Sequence, residues 1–191
     1  MVARLRVALV GYGLAGKALH APLISSTKGL LLATVVSSAP QKVLADWPSV
    51  DVVEHFAAAL ADPTIDLVVI ATPDHLHAEH AIAAIKAGKH VVIDKPLAPT
   101  LAEAQSIATH AALSDRLVSV FQNRRWDSDF LTLQRILKEG SLGEVVEFTS
   151  HFDRFRPDVT HRWKDERAGG VWQDLGAHLV DQALHLFGMP R

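Results

Sequence analysis

The sequence predicts an α/β fold, a doubly wound parallel sheet followed by the start of an α+β domain. Three observations carry that prediction. Short apolar, β-branched runs alternate with helically spaced segments up to residue 122. The first run ends in a glycine turn that opens a helix, and the later runs are continuously apolar, as strands buried on both faces are.

Residues 5–10 read as the first strand, with a helical segment running to about Leu23. The unit then repeats: 31–37 strand, 41–45 short helix, 50–53 strand, 56–60 helix and 65–71 strand. Residues 75–87 put alanines, Ile82 and Ile85 on one helical stripe that stops at Gly88, and 90–93 form a further strand. Residues 100–113 read as a helix, with Thr100 as N-cap and Glu103 completing a capping box, ahead of a sixth strand at 117–121. The right-handed crossover rule places helices on both faces of such a sheet. This first domain is expected to span residues 1–122.

The character changes over residues 123–191. Residues 123–127 are polar and aromatic, 130–138 are helical, 143–155 read as one long strand and 156–169 as a charged loop. An amphipathic helix over 171–187 is closed by Gly188 and Pro190. One long strand would keep unpaired edges and an uncovered apolar face, so these residues are expected to be the N-terminal portion of a larger α+β domain.

Composition narrows the functional classes. The chain has 191 residues, 49% of them hydrophobic, enough for a real core. Its formal charge of -2 offers no basic field to a nucleic-acid backbone, so nucleic acid is not an expected partner. With no cysteine, disulfides and thiolate metal sites are excluded, and a reducing cytoplasm suits the chain. The apolar runs are strand-length rather than membrane-spanning, and the N-terminus reads as a strand rather than a signal peptide.

Gly11-Tyr12-Gly13-Leu14-Ala15-Gly16 has the Gly-x-Gly-x-x-Gly spacing of a Rossmann dinucleotide site. The first glycine makes the turn, the second lets backbone approach a pyrophosphate, and the third lets helix pack on strand, with the helix N-terminus facing the phosphates. An acidic residue normally ends the second strand of an NAD site. Here Ser37-Ser38 stand there, followed by Lys42, a set that accepts a 2'-phosphate without charge repulsion and favours NADP over NAD. The same serines could merely begin a loop.

Three further stretches carry a resemblance: Ala71-Thr72-Pro73-Asp74-His75-Leu76-His77, Ala87-Gly88-Lys89-His90-Val91-Val92-Ile93-Asp94-Lys95-Pro96, and Gly169-Gly170-Val171-Trp172-Gln173-Asp174-Leu175-Gly176-Ala177-His178-Leu179-Val180-Asp181. With the glycine turn they resemble the glucose-fructose oxidoreductase and inositol dehydrogenase (Gfo/Idh/MocA) family. The stretch from Ser119 to Leu131 is most similar to its NADP-dependent scyllo-inositol dehydrogenase branch. The resemblance implies hydride transfer between a nicotinamide cofactor and a secondary alcohol of a cyclic polyol or sugar, in a homo-oligomer. It implies that Lys95 polarises the reacting oxygen, that His178 takes or gives the proton, and that Asp174 orients substrate or the imidazole. Asp174 and His178 are four apart and share a helix face. Thr72, Pro73, His77 and Asp94 are expected to line the cofactor groove beside Lys95.

Other readings of these residues stay open. Lys95-Pro96 could simply end a strand, Thr72 and Pro73 could be a helix start after a turn, and the Asp174/His178 spacing could supply two metal ligands, although no third is placed and no metal is expected. Asn123 and Arg125, on one face of an extended segment, and His151 and Asp153, on one face of the long strand, are further candidates for substrate contact. His20 and His80 read as structural or surface residues. Asp94 departs from the family's usual Glu before Lys-Pro. Family members also continue with strands that complete the second domain, which keeps a non-catalytic dinucleotide- or sugar-binding module as the alternative function. A nicotinamide-assisted hydrolase or lyase is a third.

Overall fold

A computed structural model describes residues 4–153, 155, 157 and 170–190. Two compact units divide the chain, with the boundary between Phe121 and Gln122.

The first unit is built on a six-stranded parallel sheet of order β3-β2-β1-β4-β5-β6. Its strands are β1 (Leu5–Val10), β2 (Leu30–Val36), β3 (Asp51–Val53), β4 (Leu67–Ile70), β5 (His90–Asp94) and β6 (Val118–Phe121). Strand alternation sends Val7 and Leu9 to one face and Ala8 and Val10 to the other, which is why the run is apolar throughout. Register slips between Val7 and Ala8, so Ala33 of β2 is an extra residue opposite β1.

Helices α1 (Ala21–Ser26) and α2 (Pro40–Asp46) cover one face through Ile24 and Val43. Helices α3 (Phe56–Ala61), α4 (His77–Lys86) and α5 (Leu101–Ala112) cover the other through Ala59, the Ala81/Ala84/Ile85 stripe and Ile107. Leu9 and Ile70 are fully buried, so truncating either to Ala costs about 2–5 kcal/mol. The capping box of α5 is formed in full: Thr100 Oγ1 accepts from Glu103 N at 3.3 Å, and the Glu103 carboxylate accepts from Thr100 N at 3.0 Å. Lys89 is also structural. Its buried ammonium donates to the carbonyls of Asp62 and Ile65 at 2.7 and 2.8 Å, closing the loop that leads into β4.

The second unit begins with a 3₁₀ turn, Asn123–Trp126, and helix α6 (Ser128–Lys138). It ends with a π-helical turn, Trp172–Gly176, running into α7 (Ala177–Phe187). Phe130 is buried with its ring 6.0 Å from that of His185, and Phe148 packs on Phe187 at 5.2 Å. The expected strand over 143–155 is not formed: the described residues between 143 and 153 make no sheet pairing. Alternation alone does not make a strand, whose backbone groups need a neighbouring strand to bond, and the described residues of this unit include none. The loop expected at 156–169 lies outside the described residues, apart from Pro157. Among the described residues, no helix is long and apolar enough to cross a membrane.

Candidate functional site

Sheet order creates the crevice. Beyond β1 the chain crosses to β2 on one side, while β4 lies on the other, so the carboxyl ends of β1 and β4 diverge at a switch point. A cleft of about 500 Å³ opens there, walled by Gly11, Tyr12, Gly13, Ser37, Ser38, Lys42 and Thr72. The glycine turn, the end of β2 and the loop after β4 are therefore brought together.

The three glycines have separate physical reasons. Gly11 has φ +98°, and a Cβ built on it would lie 2.7 Å from the Ala71 carbonyl oxygen. A Cβ on Gly16 would collide with the carbonyl oxygen of Gly11, so the helix start packs directly on the turn. Gly13 is different: its Cβ would meet nothing within 4 Å, and the residue borders the cleft. Two glycines close the turn and one leaves space at the cleft, the arrangement a pyrophosphate needs for main-chain approach. The residues present thus fit a dinucleotide. The helix that follows starts with a π-helical turn, Gly16–His20; Leu14 is exposed on its way into it.

Around the second strand, Ser37 Oγ accepts the Ala39 N–H at 3.1 Å, shaping the turn that carries Ser38 and leads into α2, whose first turn carries Lys42. Tyr12 donates its hydroxyl to Asp46 at 2.9 Å, and Lys17 pairs with the same carboxylate oxygen at 2.7 Å. Burial first, then Asp46, pushes the Tyr12 phenol up, while Lys17 and Tyr12 hold Asp46 below the usual carboxylate range. Glu54, His55, Phe56 and His80 also border the cleft, although the sequence reads His55 and His80 as structural or surface residues and gives Glu54 and Phe56 no part in a site. The carboxyl end of β3, next to β2, was the available signal for the first three.

His80 Nδ1 lies 3.3 Å from Thr72 Oγ1, and its ring packs on Phe56 at 4.8 Å. Burial is the main cause holding His80 below the ordinary imidazole range; Glu79 opposes, and His77 and His75 reinforce. His77 does not line the groove as expected. It is 1% exposed, because both ring nitrogens are taken up by main-chain carbonyls, those of Pro96 at 2.7 Å and Thr72 at 3.0 Å.

Lys95 follows the last residue of β5. Asp94 Oδ1 accepts the Lys95 N–H at 2.8 Å, and Asp94 Oδ2 lies 3.6 Å from buried His20 Nε2. Burial pushes the Asp94 carboxyl up, but His20, the Lys95 N–H and His77 outweigh it and hold the group below the usual range. His20, whose ring packs on Phe121 at 4.6 Å, is therefore buried rather than on the surface.

In the second unit, Asp174 lies in the π-helical turn and His178 is 4% exposed on α7. A Cβ on Gly176 would come within 2.6 Å of the Trp172 indole, which accounts for glycine between them. The 3₁₀ turn overrides the expected alternation at Asn123 and Arg125, since a tight turn does not send successive side chains to opposite faces. Arg125 makes two bonds to Asp181, at 2.8 and 2.6 Å, which raise its pKa further and occupy the guanidinium. His151 and Asp153 are exposed and carry no strand.

Residues 5–122 match the model of the oxidoreductase family with an NAD-binding Rossmann fold, and residues 130–191 match that of the GFO/IDH/MocA C-terminal domain. The uncharacterized oxidoreductase YdgJ of Escherichia coli is 54% identical over 188 residues, 97% of this chain and 54% of that protein. The NADP(+)-dependent scyllo-inositol 2-dehydrogenase IolW of Bacillus subtilis is 40% identical over 189 residues, 98% of this chain and 53% of that protein. The solved structure of the Yersinia pestis oxidoreductase YPO2259 superposes with TM-score 0.94 at 54% identity, covering 100% of this chain and 54% of the other. The chain spans about half the length of the curated relatives it matches.

Proposed function

This chain belongs to the Gfo/Idh/MocA oxidoreductase family, and we propose that it serves NADP-dependent oxidation and reduction of a secondary alcohol on a cyclic polyol or sugar. The observation that carries this reading is the cleft at the β1/β4 switch point, with open space at Gly13 and Ser37-Ser38 where an NAD site has a carboxylate. A relative named as an NADP-dependent scyllo-inositol dehydrogenase supports the same cofactor and substrate class.

A bound nicotinamide supplies the hydride acceptor or donor, which no side chain provides. The chain's own groups do the rest. Main-chain N–H groups at the helix start face the pyrophosphate, whose approach Gly13 permits. Ser37 and Ser38 bond a 2'-phosphate and Lys42 neutralises it. Lys95 polarises the reacting oxygen as alkoxide character develops, and His178 receives the proton, an imidazole being suited to a reaction that runs both ways near neutral pH. Asp174 orients substrate or the His178 ring. A cytoplasmic setting and self-association of the protein complete the proposal; the absence of cysteine and the exposed Val146 and Phe155 support them.

NAD is the second reading of the cofactor, favoured by Glu54, a carboxylate bordering the same cleft from the end of β3. For the reaction, Lys95→Ala is expected to lower polyol-dependent NADP⁺ reduction by roughly 10²-fold or more. Unchanged turnover in that variant overturns the role of Lys95. Tight NADPH binding with no turnover on any polyol would point instead to a dinucleotide-binding module.

A further inference from the structure

We infer that His77 is a positioning residue that ties the main chain of the cofactor loop to the main chain of the lysine loop. It opens α4 and is almost fully buried, so it is not placed to meet substrate. Its Nδ1 lies 2.7 Å from the carbonyl oxygen of Pro96, and its Nε2 lies 3.0 Å from that of Thr72. A carbonyl oxygen only accepts, so the two bonds stand together only when both ring nitrogens carry hydrogen. The ionisable groups on which His77 acts electrostatically are the Asp94 carboxylate, from β5, and the His80 imidazole, from α4.

The two acceptors belong to different parts of the site. Thr72 borders the dinucleotide cleft and turns its hydroxyl to His80, while Pro96 directly follows Lys95. One side chain thus fixes the floor of the cofactor cleft and the residue after Lys95 against a common point. Movement of either loop must be shared by the other. The purposes given to the two loops rest on the dehydrogenase reading above; the tie itself does not.

The two arms can be cut separately. An asparagine amide N–H reaches the place of imidazole Nδ1, and a glutamine amide that of Nε2. His77→Asn therefore keeps the Pro96 bond, and His77→Gln keeps the Thr72 bond. Two readouts serve: NADPH affinity by fluorescence titration, and the rate at which a small active ester acylates Lys95, followed by mass spectrometry. His77→Asn is expected to weaken NADPH by at least about tenfold while leaving Lys95 acylation unchanged, the worth of one charge-assisted bond. His77→Gln is expected to leave NADPH affinity unchanged and to alter Lys95 acylation severalfold.

Equal effects of both variants on both readouts, or no effect on either, overturn the proposal. If neither variant folds, the wild-type ring decides by proton NMR. Two slowly exchanging ring N–H signals from His77 are expected, and a single one overturns the double tie. Lys95→Ala retaining full turnover would remove the dehydrogenase reading yet leave the split between the two His77 variants standing.

Discussion

The Asp94 carboxylate holds the N–H of its neighbour Lys95 at 2.8 Å with one oxygen and faces buried His20 at 3.6 Å with the other. The helix that leaves the glycine turn is thereby linked to the strand that ends at the lysine. Because the folded protein holds Asp94 below the ordinary carboxylate range, of about 3.9, its stabilising contribution is fully present above that value. It is lost as pH falls through the lower, folded-state value. Thermal melts between neutral pH and pH ~3 should show a fall in acid that is shallower in Asp94→Asn; identical acid profiles would contradict the assignment.

His80 gives a second pH dependence, at a different place. Burial holds its imidazole below the ordinary range, of about 6.5, so the unfolded chain binds that proton first and stability declines as pH drops below that value. Replacing His80 by Gln should flatten the decline, as read in urea titrations at a series of pH values.

The glycines should separate folding from binding. Gly11→Ala forces a side chain into positive φ and against the Ala71 carbonyl, and is expected to destabilise by several kcal/mol, about 2–4. Gly13→Ala meets no atom and should shift the melting temperature by no more than ~2 °C, yet weaken dinucleotide binding at least about tenfold. Loss of binding in Gly13→Ala only through unfolding would contradict the cleft assignment.

Arg125 is expected to behave as a tie rather than a substrate ligand. Its bonds to Asp181 are bidentate but nearly half exposed, so Arg125→Ala should cost about 1 kcal/mol. Denaturation of the variant measures this, and a loss above ~3 kcal/mol would show a role beyond the pair.

What the sequence made legible was whatever local chemistry dictates. Gly11, Gly13 and Gly16 show their spacing in six residues, and Thr100 and Glu103 are close enough to cap one another whatever surrounds them. The misreadings depend on distant partners. Residues 143–153 alternate like a strand, but pairing needs a neighbour that alternation does not supply. His20, expected to be structural or on the surface, is structural, but which residues bury it was not legible, because Asp94 and Phe121 arrive from strands far along the chain. His77 looked like groove lining because its motif is local, whereas Pro96, one of the two carbonyls that bury it, lies beyond the next strand. Arg125 was read by alternation, and the turn at Asn123–Trp126 removed the alternation.

Titration of the protein with NADPH and NADH, followed by tryptophan fluorescence, decides whether the cleft at the β1/β4 switch point holds a dinucleotide and which one. Saturable binding is expected, with NADPH preferred at least tenfold, about 1.4 kcal/mol, and that preference erased in Lys42→Ala. Binding of neither dinucleotide, or a preference for NADH that Lys42→Ala leaves untouched, would contradict this expectation.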